Sequence, residues 1–349
     1  MRHEAAVDRV GGMNQPGTAP DSPLVSVVIP LYNGGRYIAA TLKSVLSQTY
    51  DRIEILVVDD GSSDDGPEIV AALAAGSGGR IRLMSHPDGG NHGIAASRNL
   101  AIRNAGGPYI AFVDQDDVWV PEKLQKQVDL LQRFAEADLV YSRSGFIDQE
   151  GIDHSLRGIH RTFGKGVDGR PSNVFSRIIK EDFIPTLTVV VRKCCLERVG
   201  LLDEGPAYEF EDWLLMSKLA FYYKVIFIPT VLAKWRVHGA NYSGAVLETG
   251  LHHRAEEHYT ITLFSFLMSR EAEPKEAVRR FLRRRLWFFF LRARSWGVSR
   301  SAIGDHAHNF LNAFPSERPT IRWAVRCAGL VPPRLGWAAR RVRRYVFGM

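Results

Sequence analysis

The sequence has little cysteine, no long apolar run and no leader-like start. Three cysteines occur among 349 residues, and two of them, Cys194 and Cys195, are adjacent. So few cysteines provide no disulfide framework, which predicts a reducing compartment. No apolar stretch reaches the ~20 residues of a membrane-spanning helix. The N-terminal residues also lack the apolar region of a signal peptide. We therefore expect a cytoplasmic protein, either soluble or peripheral on the inner face of the cell membrane.

Acidic residues are scarce near the C-terminus. Residues 270–349 contain 18 basic and 5 acidic side chains, a net charge of +13 in a chain whose total is +7. Within them, residues 278–296 and 335–347 combine arginines with apolar residues, a pattern typical of helices on an anionic membrane surface. We expect membrane contact for residues 335–347 and mainly internal packing for residues 278–296. No base-stacking or recognition-helix pattern accompanies the charge, so nucleic acid is not an expected partner.

The rest of the chain predicts an α/β protein. Apolar strands over residues 24–29, 53–58, 81–84 and 109–113 alternate with helical patterns, which indicates a parallel, doubly wound sheet with ligands at the carboxyl ends of the strands. We predict a disordered arm over residues 1–22, an α/β domain over residues 23–245, and a basic, mainly helical region over residues 246–349. The first strand is followed by Pro30-Leu31-Tyr32-Asn33-Gly34-Gly35. The missing G-x-G-x-x-G argues against dinucleotide-dependent oxidoreductases and sugar nucleotidyltransferases.

An acidic cluster follows the strand over residues 109–113. It reads Asp114-Gln115-Asp116-Asp117. Carboxylates this close repel one another unless a cation joins them, and hard oxygen ligands suit Mg²⁺ or Mn²⁺, which in turn suit a diphosphate. The alternative is an acidic turn before the helix that starts near Pro121. The cluster alone does not separate these two interpretations.

Four further groups of residues lie at loop positions in this pattern. They are residues 30–33 after the first strand, residues 57–64 (Val-Val-Asp-Asp-Gly-Ser-Ser-Asp) after the second, residues 93–99 (Gly-Ile-Ala-Ala-Ser-Arg-Asn) at a helix start, and residues 209–213 (Glu-Phe-Glu-Asp-Trp) before a later helix. Each alone is also an ordinary turn or helix cap. In this order, and with the acidic cluster, they resemble the family 2 glycosyltransferases over about residues 24–243.

The resemblance implies a GT-A fold, that is, a Rossmann-like mixed sheet with helices on both faces, followed here by the C-terminal helical region. It implies an inverting transferase of the kind that builds bacterial cell-surface polysaccharides. Asp114-Gln115-Asp116 corresponds to the DxD element, so Asp116, with Asp114, is implied to hold Mn²⁺ or Mg²⁺. Residues 234–243 resemble a closing motif of bacterial members, in which His238 would reach the metal or the diphosphate; the alternative is a structural histidine. The residues implied to bind the nucleotide-sugar donor are Pro30, Tyr32, Asn33, Asp59, Asp60, Arg98, Asp114 and Gln115.

The resemblance also implies a general base. Asp212 corresponds to the carboxylate that takes the proton of an acceptor hydroxyl, and Glu211 remains an alternative. The Asp59 region is compatible with uridine or thymidine, so a UDP- or dTDP-sugar is the expected donor and a glycan or lipid-linked glycan the expected acceptor. The competing interpretation is a degenerate, membrane-bound scaffold of the same fold. It predicts losses among Asp114, Asp116 and Asp212, all of which are present.

Overall fold

A computed structural model describes residues 22–154, 169–205, 210–239, 252–269, 275–295 and 298–329. Its strands are β1 (Val25–Leu31), β2 (Ile53–Asp59), β3 (Ile81–Ser85), β4 (Tyr109–Phe112), β5 (Val118–Trp119), β6 (Ala137–Ile147), β7 (Val190–Arg192) and β8 (Lys224–Arg236). The helices of the α/β part are α1 (Gly35–Leu46), α2 (Gly66–Ala75), α3 (Ile94–Asn104), α4 (Lys123–Arg133), α5 (Phe175–Ile178), α6 (Lys193–Val199) and α7 (Glu211–Tyr222). The helices that follow are α8 (His252–Met268), α9 (Lys275–Ser295), α10 (Arg300–Ala313) and α11 (Arg318–Gly329).

The described strands form one sheet in the order β3-β2-β1-β4-β7-β6-β8-β5. β3, β2, β1 and β4 are parallel, as the sequence predicts. β7 is antiparallel to both β4 and β6, and β5 is antiparallel to β8. The four strands predicted to be parallel are so, and the later strands make the whole sheet mixed, as the GT-A resemblance implies. β2 and β4 flank β1, so the chain changes direction across the sheet at β1, the position where open α/β folds bind ligands.

The side chains of the sheet alternate between two buried cores. In β1, Val28 belongs to the core under α3 and α7, whereas Val27 and Ile29 belong to the core under α1, α2 and α4. This two-residue period follows from strand geometry, since successive side chains point to opposite faces. Helices on both faces cover the sheet, so the strands read as continuous apolar runs.

The C-terminal helices continue the first of these cores. Leu263 and Phe264 of α8 and Leu286 and Phe289 of α9 lie in the same buried cluster as Leu214 of α7. The described part of residues 278–296 thus packs mainly inward, as expected, while Phe288 is exposed. Within the described residues, no helix combines the length and the apolar character needed to cross a bilayer. The predicted N-terminal arm over residues 1–22, except for its last residue, and the segment over residues 335–347 lie outside the described residues.

Candidate active site

The candidate site lies where the loops after β1, β2 and β4 meet the first turns of α3 and α7. Gln115 joins two of these loops. Its side-chain oxygen accepts a hydrogen bond from the Tyr32 N–H at 2.8 Å, and its amide donates to the Tyr32 carbonyl at 3.0 Å. Thr41 of α1 donates to the Gln115 carbonyl at 2.8 Å. The acidic cluster is therefore attached to the loop predicted to contact the donor.

A buried arginine bridges two of the predicted carboxylates. Arg98 of α3 is 2% exposed. Its Nη2 donates to Asp114 Oδ1 at 2.6 Å, and its Nη1 donates to Glu211 Oε1 at 3.1 Å. These residues are far apart in the sequence, and the sheet brings them together. Burial of a guanidinium is tolerated when carboxylates compensate its charge.

Glu211 and Asp212 open α7 in different surroundings. Phe210 just before them adopts a left-handed backbone conformation, with φ of 74°. Burial, together with the neighbouring charge of Asp212, raises the pKa of Glu211 to about 8, although Arg98 opposes the shift. Asp212 accepts from the Thr186 hydroxyl at 2.9 Å through Oδ2 and from the Trp213 N–H at 2.6 Å through Oδ1. Two donors thus fix the Asp212 carboxylate at the positive end of the helix dipole.

Asp116 and His238 form a pair at the opposite end of the acidic cluster. The Asp116 Oδ2 atom lies 2.8 Å from His238 Nε2. Arg236 supports the pair, because its Nε donates to the Asp116 carbonyl at 2.8 Å and its backbone N–H donates to Asp117 Oδ1 at 2.9 Å. The centroid of the Tyr37 ring lies 4.8 Å from the centroid of the His238 ring and 4.8 Å from the Cζ atom of Arg236. The predicted ligands Asp116 and His238 are therefore brought together.

Asp116 and His238 are of the types that hold a divalent cation. A carboxylate oxygen and an imidazole nitrogen are both ligands that a metal such as Mn²⁺ accepts. Among the residues that the structure describes, no three His, Cys, Asp or Glu side chains form a complete metal site. Asp114, the third predicted ligand, gives one of its oxygens to Arg98.

Asp117 is buried at the base of the cluster and differs from its neighbours. Its Oδ1 accepts from Arg236, whereas its Oδ2 has no hydrogen-bond partner among the described residues. Burial and the charges of Asp116 and Asp114 raise its pKa well above the ordinary range. Through this hydrogen bond, Asp117 holds the backbone of Arg236 next to the acidic cluster.

The loops after β1 and β2 hold each other. Asn33, with φ of 49°, donates through its N–H to the Ser62 hydroxyl at 3.0 Å and accepts from the Ser63 N–H at 2.8 Å. Asp59 accepts from the Ser62 N–H at 3.1 Å. Tyr32 is 48% exposed beside them, whereas Pro30 is a buried residue of β1 paired with Val58. Tyr32, Asn33 and Asp59 therefore lie together at the rim, as the predicted donor contacts require.

The Asp60 carboxylate is buried and bound to backbone groups, although Asp60 was predicted to contact the donor. It is 3% exposed, and its two oxygens accept from the backbone N–H groups of His92 at 2.7 Å and Gly93 at 2.9 Å. Its carboxylate is thus engaged in holding the loop before α3. The geometry gives Asp60 a supporting position behind Asp59.

Three residues of the site were not predicted from the sequence. Thr186 holds Asp212, Tyr37 contacts His238, and Asp64 accepts from the N–H groups of Gly35 at 2.8 Å and Gly66 at 3.0 Å. The first two partnerships join residues more than twenty positions apart, and nothing in the local sequence signals them. Asp64 had a signal, because it precedes the first turn of α2 in an Asp/Ser-rich loop.

Comparison with known proteins agrees with this fold. Residues 26–205, slightly more than half of the chain, match the family model described as glycosyl transferase family 2. An uncharacterized glycosyltransferase of Rickettsia prowazekii is 30% identical over 65% of this chain and 68% of its own length. The chain therefore belongs to glycosyl transferase family 2, a family of sugar-transferring enzymes that commonly use a divalent cation.

Two further similarities are informative. The UDP-Glc:alpha-D-GlcNAc-diphosphoundecaprenol beta-1,3-glucosyltransferase WfgD of Escherichia coli is 33% identical over 56% of this chain and 69% of its own length. Among solved structures, S. aureus TarS in complex with UDP superposes with a TM-score of 0.65 at 19% identity, over 87% of each chain. The latter similarity confirms the GT-A fold.

Proposed function

We propose that this protein is an inverting glycosyltransferase that moves a sugar from a UDP- or dTDP-sugar to a hydroxyl of a glycan or lipid-linked glycan. The observation that carries the proposal is the arrangement around Arg98. In one buried network this arginine connects the acidic cluster that would face the donor to the carboxylate pair that would face the acceptor. A degenerate scaffold would have no need to keep both ends of this network.

The two ends of the network suit the two substrates. Tyr32, Asn33 and Asp59 offer a ring, an amide and a carboxylate at the rim to a base and ribose. Asp116 and His238 would hold a Mn²⁺ or Mg²⁺ ion, which would supply Lewis-acid stabilisation to the leaving diphosphate. The pyrimidine donor is supported by the name of the E. coli relative, which uses a UDP-sugar.

Asp212 is the better candidate for the general base. A base must be ionised at neutral pH and aimed at the acceptor proton. The raised pKa of Glu211, about 8, keeps that carboxyl protonated at neutral pH, and its Oε1 is bound to Arg98. Asp212 is held by Thr186 and by the Trp213 N–H instead. We therefore assign Asp212 as the base and Glu211 as a neighbouring carboxyl that is bound to Arg98.

The proposed reaction is a single displacement. The acceptor oxygen forms a bond to the anomeric carbon as the bond from that carbon to the diphosphate oxygen breaks. The acceptor proton passes to Asp212, and the electron pair of the broken bond leaves with the nucleoside diphosphate. Attack from the face opposite the leaving group inverts the configuration of the anomeric carbon.

We infer a lipid-linked acceptor and a location on the inner face of the cell membrane. The relative from E. coli acts on a diphosphoundecaprenol-linked sugar by its name. The basic C-terminal region of this chain is compatible with the anionic surface on which such acceptors lie. The described helices would bring the enzyme to that surface without crossing it.

The test is sugar transfer with purified protein, Mn²⁺, UDP- or dTDP-hexoses as donors and GlcNAc-diphosphoundecaprenol, the acceptor in the name of the E. coli relative, followed by nuclear magnetic resonance of the new linkage. We expect an inverted anomeric centre and a loss of turnover by about 10²–10⁴-fold in Asp212→Asn, the range of general-base catalysis. Asp51→Asn, an exposed change far from α7, is the matched control. Retained configuration, or an Asp212→Asn variant with wild-type turnover, would contradict the mechanism.

A further inference from the structure

Two C-terminal helices present large apolar side chains to solvent. Trp323 of α11 is 59% exposed, and Phe288 of α9 is 60% exposed. Trp323 also stacks on Trp287 of α9, with ring centroids 4.2 Å apart and planes at 19°. A tryptophan and a phenylalanine exposed together on packed helices are unusual for a surface that contacts only water.

Exposed arginines occur on the same two helices. On α9, Arg280 and Arg284 precede Phe288 at intervals of four residues, so these three side chains share one helix face. On α11, Arg322 and Arg326 lie on either side of Trp323 and are exposed. The aromatic side chains are thus accompanied by cations on both helices.

The positive charge of these helices has little acidic compensation. α11 contains three arginines and no acidic residue. α9 contains seven arginines, one lysine and one glutamate, and that glutamate, Glu276, pairs with Arg283 at 3.2 Å. The sequence beyond α11, residues 330–349, adds five arginines and no acidic residue. A partner of this surface must therefore be anionic.

We propose that Arg284, Phe288, Arg322, Trp323 and Arg326, the α9–α11 face, dock this protein on an anionic lipid bilayer. Arginines bind lipid headgroups, while tryptophan and phenylalanine rings enter the boundary between headgroups and acyl chains. Nucleic acid fits less well, because Trp287 already covers one face of the Trp323 ring. The inference deepens the proposed lipid-linked acceptor by naming the surface that meets the membrane.

The opposite side of α9 is attached to the candidate site. The Arg285 guanidinium is buried 5.0 Å from the ring of Trp213, the residue that follows Asp212. Leu286 and Phe289 pack in the core beside it. One helix, α9, thus connects the docking face to the α7 segment that carries the proposed base. A docked enzyme would therefore keep its candidate site close to the bilayer.

The test is sedimentation of the full chain with vesicles of phosphatidylcholine, with and without phosphatidylglycerol. We expect binding only to the anionic vesicles. Arg284→Gln/Arg322→Gln/Arg326→Gln should weaken it by about fivefold for each arginine, the usual contribution of one cation at such a surface. Phe288→Ser/Trp323→Ser should also weaken the binding, through the loss of apolar burial rather than the loss of charge.

The controls are Lys43→Gln/Lys126→Gln/Arg133→Gln, which removes the same charge from exposed positions of the α/β part, and Ile152→Ser, which removes a side chain that is 60% exposed elsewhere. Both should bind as the wild type does. Equal binding of the arginine variant and the wild type, binding to neutral vesicles, or a preference for an RNA oligonucleotide over vesicles would overturn the inference. Nucleotide binding, measured without vesicles, separates this failure from a failure of the proposed function.

Discussion

At the scale of single residues, the candidate site depends on charges that are buried together. Arg98 lies between Asp114 and Glu211, and Asp212 adds a further negative charge to the same network. A buried network of this kind contributes little net stability, because desolvation offsets much of the attraction. Its value is geometric, since each carboxylate keeps one orientation relative to the others.

The ionisation of Glu211 gives a prediction at this scale. Its pKa is about 8 in the folded protein, above the ordinary value of 4.5, because the side chain is buried next to Asp212. Between these two pH values the folded state holds a proton that the unfolded chain releases, so this residue lowers the stability as the pH rises. Glu211→Gln should therefore lose less stability than the wild type over that window, by up to a few kcal/mol.

Thermal unfolding at a series of pH values measures this difference. Glu122→Gln, which changes an exposed glutamate, is the matched control for loss of one carboxyl. Parallel pH dependences of Glu211→Gln and the wild type would mean that Glu211 is already ionised at neutral pH. Glu211 would then again compete with Asp212 for the role of base.

The sequence predicts the carboxylates of the site better than their partners. Asp114, Asp116 and Asp212 stand out because acidic residues follow apolar strands or open a helix. Thr186 and Tyr37 are ordinary residues in the sequence, and only the fold places them against Asp212 and His238. Partners of this kind depend on long-range packing, which local patterns do not encode.

At the scale of elements, α9 packs against the start of α7, the helix that carries Asp212. The buried Arg285 guanidinium stacks on Trp213 and on Tyr259 of α8, whose ring centroid lies 4.6 Å away. It donates to Thr260 Oγ1 at 3.0 Å and to the Ile179 carbonyl at 2.9 Å. The start of α7 is thereby packed against the C-terminal helices.

Replacing Arg285 should be costly for stability. Arg285→Met keeps the apolar stem but leaves two acceptors and the buried Glu256, 3.5 Å from Arg285, without the guanidinium. We expect the free energy of unfolding to fall by about 3–5 kcal/mol, the usual cost of breaking a buried charged network. Urea unfolding measures it. Arg284→Met, the exposed neighbour, should stay within about 0.5 kcal/mol of the wild type, and equal losses in both variants would refute the role of Arg285.

Substitutions of two glycines by alanine should change the stability in opposite directions. A Cβ at Gly107, just before β4, would lie 2.5 Å from the Leu24 carbonyl oxygen, whereas a Cβ at Gly304 in α10 would have no described neighbour within 4 Å. Gly107→Ala should destabilise the protein by about 1–3 kcal/mol through overpacking. Gly304→Ala should stabilise it by about 0.5–1 kcal/mol, because alanine favours helices. Calorimetric melting of both variants measures these changes, and shifts of the same sign would contradict the packing described.

The elements that the sequence predicts well are the buried strands β1, β2 and β4, which are uninterrupted apolar runs. β8 is harder to predict, because Pro229 interrupts its apolar pattern and proline cannot donate within a sheet. In the structure Ile228 pairs with Ser142 and Val231 with Arg143, so Pro229 and Thr230 bulge out of the ladder and the strand continues.

At the scale of the whole molecule, the acidic residues of the candidate site and the basic residues of the chain are concentrated in different regions. The carboxylates of the candidate site lie at the carboxyl ends of central strands and at the start of α7, whereas the positive charge of the chain is concentrated in residues 270–349. A nucleotide-sugar needs a cation between its diphosphate and an acidic site, and a membrane surface needs basic residues. The proposed sugar transfer and the proposed membrane docking would therefore use different surfaces of one chain, whose described C-terminal helices share a core with α7.

The most direct test of this account is calorimetric titration of the full chain with UDP, dTDP and GDP, each in Mn²⁺ and in EDTA. The account predicts that UDP or dTDP binds, that GDP does not, and that EDTA abolishes the binding. Asp116→Asn should reduce the Mn²⁺-dependent affinity, while Asp51→Asn should leave it unchanged. Failure of all three nucleotides to bind, or binding that persists in EDTA and in Asp116→Asn, would contradict a metal-assisted nucleotide-sugar transferase.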